Sequence, residues 1–190
     1  MNVILSRWLK GCAGKWLDIG GGRGPSYAAF LPSSCQRVAT DLTAADDRVL
    51  VIDANTIFPM ADGSYDGIFA VNMLYILRDP VATLRECRRV LRPEGGVVAT
   101  FPFFFSEHPE PHDYWRWTRE GVYRILDQAG FQQIEILPAG GMGTVWSMTM
   151  LPFGQIRLIR LLCVPIVWLW DRFGSKETTS FWVVRVRASV

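Results

Sequence analysis

Short apolar runs alternate along this chain with amphipathic stretches and with clusters of glycine, proline and aspartate. Residues 15–19 form an apolar run that ends in glycines, the pattern of a buried strand feeding a tight turn. Pro25 and the small residues behind it predict a helix through about Leu31. Residues 37–40, closed by Asp41, and 49–52, closed by Asp53, predict the second and third strands; residues 66–72 predict a fourth, the most apolar of these. Asp79 and Pro80 then open a helix, Asp79 suited to capping it and Pro80 to its first position. Val81, Leu84, Val90 and Leu91 share one face of that helix, and Pro93 with Gly95-Gly96 is expected to end it. Residues 97–101 predict a fifth strand. Thr118 is expected to cap a helix with Val122, Ile125, Leu126 and Ala129 turned inward and Gly130 closing it. Residues 131–137 and 181–186 complete a set of seven strands.

Strands separated by helices predict an α/β domain whose parallel sheet is covered on both faces. In such sheets the ligand crevice lies beyond the carboxyl ends of the strands, where strand order reverses. Asp18, Asp41, Asp53 and Asn72 all fall at or near those ends. The length of 190 residues suits one domain with an appendage. Hydrophobic residues at 49% and charged residues at 20% exclude a disordered or highly charged coil. A net charge of +2 singles out neither nucleic acid nor an acidic partner. Cys12, Cys35, Cys87 and Cys163 form no CxxC pair, so reduced thiols in a cytoplasmic protein are the simplest reading. The first twelve residues lack the order of a secretory signal, because Arg7 and Lys10 follow the apolar run.

The segment from Asp18 to Gly24 reads D-x-G-x-G-x-G. Glycines let a backbone turn sharply and approach a ligand closely. A phosphate-binding P-loop is excluded, since no Lys-Ser/Thr pair follows the glycines. A nicotinamide fingerprint counted from Gly20 fails at Pro25. With these residues the stretch from Trp16 to Phe131 resembles the class I S-adenosylmethionine-dependent methyltransferases. The resemblance implies a Rossmann-like, seven-stranded, mostly parallel sheet, and S-adenosylmethionine as cofactor. It implies that Asp18, Gly20, Gly22 and Gly24 approach the amino-acid part of the cofactor. Asp41 would hold the ribose, Asp53 with Ala54 would contact adenine, and Asn72 would border the same site. Residues 58–66 (FPMADGSYD) and 89–96 (RVLRPEGG) are similar to the family's approaches to its fourth and fifth strands. The run 111–118 (PHDYWRWT) looks like the subgroup that accompanies saccharide and cell-envelope biosynthesis. Many relatives carry a Glu-His pair after the fourth strand where this chain has Leu74-Tyr75-Ile76.

Methyl transfer from a sulfonium depends chiefly on alignment in a dry pocket. A carboxylate acceptor needs no base, whereas a sugar hydroxyl benefits from one. The two histidines, His108 and His112, both follow the fifth strand. The expected catalytic group is His112, with Asp113 as its partner and Tyr114 bonding the acceptor. Trp115 is expected to stack on a sugar face and Arg116 to hold a phosphate or carboxylate. The alternative gives these residues to the loop itself: a turn cap, core anchors and a local ion pair. No metal is expected, because Pro109 and Pro111 disfavour the helix that would align His108 and His112.

Six of the eight tryptophans lie beyond residue 114, and residues 145–170 are strongly apolar. Arg157, Arg160, Pro152 and Pro165 interrupt this stretch, which argues against a spanning helix. We expect a helical apolar insertion over about 142–176, within a single domain over 1–190. It would pack on the domain, lie on a membrane surface through residues 145–172, or form a homodimer. The expected function is S-adenosylmethionine-dependent methyl transfer to a small-molecule, saccharide or lipid-linked acceptor, at oxygen. The protein would be cytoplasmic, or peripheral at the inner membrane face. The competing reading is a catalytically inactive binding or scaffold protein on the same fold.

Overall fold

The computed structural model describes residues 2–43, 46–109, 112–149, 157–173 and 179–188. Seven strands form one sheet in the order β3-β2-β1-β4-β5-β7-β6. They are β1 (Gly14–Asp18), β2 (Cys35–Asp41), β3 (Val49–Val51), β4 (Tyr65–Ala70), β5 (Leu91–Pro102), β6 (Gln132–Ala139) and β7 (Phe181–Arg187). The pairs among β1–β5 are parallel, and β7 inserts antiparallel between β5 and β6. Strand order reverses between β1 and β4, so the crevice of the fold opens beyond their carboxyl ends.

Both faces of the sheet are covered. On one face, helices α2 (Pro80–Val90) and α3 (Arg119–Gln128) bury Leu84, Cys87, Val90, Val122 and Leu126 against Ile68, Ala70, Val97, Ala99 and Val184. On the other, helix α1 (Asn2–Leu9) and a 3₁₀ turn (Ser26–Phe30) bury Leu5, Trp8, Leu9 and Tyr27 against Phe69, Val98 and Val183. Successive strand residues alternate between these cores, as the pleat requires. Both expected caps form: Asp79 accepts from the Ala82 N–H at 2.9 Å, and Thr118 from the Gly121 N–H at 3.1 Å. Gly130, at φ 85°, closes the turn after α3.

Three local expectations differ. The helix foreseen over 25–31 is a single 3₁₀ turn, because Leu31 is already extended ahead of Pro32. Helix α2 stops at Val90, short of Pro93, because Leu91 pairs with Tyr65 and starts β5. Helix α1 was not foreseen, although Leu5, Trp8, Leu9 and Cys12 fall at i, i+3, i+4 and i+7 and all are buried. Cys12, Cys35 and Cys87 are free, and burial pushes the Cys12 thiol up to about 12.

Between β6 and β7 the chain forms helices α4 (Met142–Thr149) and α5 (Arg157–Phe173), which pack on each other. The expected insertion over 142–176 also covers 150–156 and 174–176, which lie outside the described residues, as do Glu110 and Pro111. The helices are locked by Asp171 of α5, which accepts from the Thr144 N–H at 3.1 Å and from the Thr144 hydroxyl at the start of α4. No helix among the described residues is long and apolar enough to cross a membrane.

Leu9 is fully buried between α1 and the sheet. Its replacement by alanine is expected to lower unfolding free energy by about 2–5 kcal/mol. Urea denaturation followed by circular dichroism checks this.

Candidate cofactor cleft and its loop

The glycine turn follows β1 directly. Gly20 and Gly22 take φ of 67° and 52°, a region that side chains disfavour. A Cβ on Gly21 would land on the Asp18 carboxylate beneath it, so the middle glycine of the run is required by contact rather than by φ. Arg37 of β2 bonds the Asp18 carboxylate through Nε and the Gly22 carbonyl, at 2.6 Å, through its terminal nitrogen. The Tyr27 hydroxyl donates to Asp18 at 2.5 Å. Thr40 donates to the Asp18 carbonyl at 3.0 Å, and the Gly22 N–H reaches the Thr40 carbonyl at 3.3 Å.

Asp18 anchors the turn from beneath. Its side chain is completely buried, and its oxygens are taken by Tyr27 and Arg37. Burial pushes its carboxyl upward, while Tyr27 and Arg37 oppose that shift. Arg37, Tyr27 and Thr40 were not foreseen as site residues. The one signal available was an arginine within the otherwise half-apolar strand β2.

The other acidic residues come to the same edge. Asp41 ends β2; a Cβ on Gly22 would sit 2.9 Å from its Oδ2, so this carboxylate lies against the turn. Its Oδ1 accepts from the Leu42 N–H at 2.7 Å. The Ile52 N–H bonds the Asp41 carbonyl at 2.9 Å, which carries Asp53 to the neighbouring position beyond β3. Asp53 closes a small turn, with its Oδ1 accepting from the backbone and side-chain amides of Asn55, both at 2.9 Å. These bonds hold its carboxyl below the usual range. The Ala54 carbonyl accepts from Thr83 at 2.7 Å, which fixes the turn on α2. Beyond β4, Asn72 is left-handed at φ 53°, its backbone N–H and Oδ1 both bonded to the Thr100 hydroxyl. Met73 behind it packs 3.3 Å from where a Gly20 Cβ would stand. Gly24 has open space at its Cβ position.

The residues fit S-adenosylmethionine. The Gly20 and Gly22 N–H groups are held by Thr40, at 3.4 and 3.3 Å, and the open space at Gly24 suits an amino-acid moiety; Asp41 offers a carboxylate to a diol, and Asp53 with Ala54 borders the next position along the edge.

The loop after β5 closes the other side. The Tyr114 and Trp115 N–H groups bond the Tyr75 carbonyl at 2.9 and 3.3 Å, and Trp115 Nε1 bonds the Leu77 carbonyl at 2.8 Å. The loop is thereby seated on the segment leaving β4. His112 is exposed, with its ring 5.1 Å from that of the half-exposed Tyr114. Asp113 is not paired with the His112 ring. It accepts from Arg116 and, at 2.7 Å, from the His108 N–H. Arg116 also donates to the carbonyls of Phe105, Trp115 and Ser106, and lies over the rings of Tyr75 and Phe105. It staples the loop and has no donor face turned to an acceptor's anion. Trp117 is a core anchor, buried edge-on against Phe101 at 5.2 Å. Trp115 remains half-exposed at the mouth.

The family described as a methyltransferase domain matches residues 17–99. The chain is 30% identical over 133 residues to the human thiol S-methyltransferase TMT1B, a match covering 60% of this chain and 52% of that protein. The Haemonchus contortus phosphoethanolamine N-methyltransferase 2, solved with S-adenosyl-L-methionine, superposes over 100% of this chain and 52% of its own. Its TM-score is 0.66 at 17% identity. A SAM-dependent methyltransferase from Archaeoglobus fulgidus superposes with a TM-score of 0.66 at 18% identity, over 98% of this chain and 92% of its own. The chain thus spans about half the length of the first two relatives.

Two outcomes follow from the geometry. Arg37→Leu strands a buried carboxylate and is expected to lower stability by about 3–5 kcal/mol, read by chemical denaturation. Arg116 holds the Asp113 carboxyl below the usual range. The bond therefore stabilises the loop fully above that range, and its contribution fades as pH falls through the depressed value. The protection of the amides of residues 105–108 and 112–117, taken relative to their intrinsic exchange rate at each pH, is expected to fall on acidification, and Asp113→Asn to remove that dependence. From these observations, the chain has the Rossmann-like fold of the S-adenosylmethionine-dependent methyltransferases, with a methyltransferase-domain match from the end of β1 into β5.

Proposed function

We propose that this protein transfers a methyl group from S-adenosylmethionine to a small-molecule, saccharide or lipid-linked acceptor, at oxygen. The observation that carries the reading is the Asp41 carboxylate pressed against a left-handed glycine turn at the point where strand order reverses. The methyltransferase-domain match over 17–99 supports it. In this reading Gly20, Gly22 and Gly24 receive the amino-acid end of the cofactor, Asp41 the ribose hydroxyls, and Asp53 and Ala54 the adenine. Asn72 borders the site from β4. The cofactor supplies an activated methyl group on a sulfonium, so the protein's task is to align the acceptor and exclude water. Tyr114 hydrogen-bonds the acceptor, and the exposed face of Trp115 packs against its ring or chain. His112 takes the proton of an acceptor hydroxyl, whose high pKa makes a base useful.

A thiol acceptor is the second reading, favoured by the identity to a human thiol S-methyltransferase. A thiol ionises at about pH 8.5 and depends less on a base.

Titration calorimetry is expected to show cofactor binding that Asp41→Ala weakens at least about tenfold, a loss of roughly 1.4 kcal/mol or more. A well-folded protein giving no heat would end the reading. A radiolabelled methyl-donor assay on fractionated envelope lipids, sugars and thiols then identifies the acceptor. With a hydroxyl acceptor, His112→Ala is expected to lower kcat by about 10²–10⁴-fold while leaving cofactor affinity unchanged. Unchanged kcat on a thiol fraction would favour the second reading. Binding without transfer to any fraction would favour the inactive one.

A further inference from the structure

Helix α5 presents an apolar stripe that the rest of the described chain does not cover. Ile166, Leu169, Trp170 and Phe173 stand at i, i+3, i+4 and i+7 and are 45–76% exposed; Trp168, 63% exposed, leaves the helix on a different side. The opposite side of the helix is occupied: the Val167 backbone and the Asp171 carboxylate approach Gly143 and Thr144 of α4. The side of α5 that carries Val167 and Asp171 is thus taken by α4, and the stripe lies off it. On α1, α2 and α3, by contrast, Leu5, Trp8, Leu9, Leu84, Val90, Val122 and Leu126 are buried against the sheet.

The charge of the two helices narrows what covers this stripe. Their sequences contain Arg157, Arg160 and Arg172 but only one acidic residue, Asp171, and its carboxylate is bonded to Thr144. A second copy docked through the same helices would bring three more arginines and no uncommitted carboxylate. An anionic lipid surface complements both features. Its headgroups attract arginines, its acyl boundary accepts aliphatic and phenyl groups, and tryptophan partitions to the layer between.

Location supports the same occupant. Ala139 at the end of β6 and Pro102 at the end of β5 both register with Phe181 at the start of β7. The helical pair therefore leaves the sheet at the edge where the cofactor cleft opens. The half-exposed Phe103 and Phe104, bonded through their N–H groups to the Ser180 carbonyl at 2.9 and 3.2 Å, flank its base. We propose that α5 lies in the interface of an anionic membrane through Ile166, Leu169, Trp170 and Phe173, with the mouth of the cleft held beside the lipid surface. The inference goes beyond methyl transfer and does not rest on it, because lipid binding is read without donor or acceptor.

The test is flotation of the full chain with phosphatidylglycerol/phosphatidylcholine vesicles and with phosphatidylcholine vesicles, at low salt. The wild-type protein is expected to float with the anionic vesicles at least about tenfold more than with the neutral ones, with the difference falling as salt is raised. The double variant L169E/F173E, altered only at exposed positions, is expected to stay at the bottom of the gradient while keeping its melting temperature and its cofactor affinity. Three results would overturn the proposal. One is wild-type protein that remains at the bottom with both vesicles; another is a double variant that still floats. The third is a wild-type dimer in sedimentation velocity that the double variant converts to monomer without any flotation, which would assign the stripe to a second copy.

Discussion

The buried carboxylate of Asp18 ties together the parts of the cleft that are distant in sequence. A charge removed from water is costly unless it is paired and hydrogen-bonded, and breaking such a pair costs more than a surface contact ever contributes. Asp18 meets that condition through Tyr27 from the 3₁₀ turn and Arg37 from β2. Arg37 also grips the Gly22 carbonyl, so the pairing of β1 with β2, the seat of the 3₁₀ turn and the shape of the glycine turn form one unit. The acid that opens the glycine motif acts as scaffold, and Asp41 is the carboxylate left facing the turn.

The sheet order then does the positioning. Parallel register sets the ends of β1, β2 and β3 side by side, and strand order reverses between β1 and β4, beyond whose ends Gly20 and Asn72 lie. The antiparallel β7 has a different consequence: its start, rather than its end, lies at this edge. Helix α4, which follows β6 within a few residues, therefore starts at the edge where the cleft opens.

A Rossmann-like fold hosts many reactions, and what distinguishes one from another lies in the loops that close the cleft. Here the loop after β5 is preorganised. Arg116 uses its guanidinium on Asp113 and on three carbonyls of the same loop, and it lies over the rings of Tyr75 and Phe105. With these charges committed, the groups left at the mouth are the imidazole of His112, the phenol of Tyr114 and the indole face of Trp115.

Sequence alone determined the order of strands and helices, because apolar runs bounded by glycine, proline and capping residues are local signals. Asp79, Thr118 and Gly130 act where they were expected to. The edge that collects Asp18, Asp41, Asp53 and Asn72 was equally legible, since each follows a strand. Helix α1 is legible as well, in the spacing of Leu5, Trp8, Leu9 and Cys12. Tertiary structure alone decided which partner each charged side chain meets. Asp18 faces Arg37, nineteen residues on, only because β1 and β2 pair in one register. Arg116 turns to Asp113 and away from solvent only because Tyr75 and Phe105 flank it. Such choices depend on distances across the sheet and between loops, and no local pattern of residues encodes a distance between segments that meet only after folding.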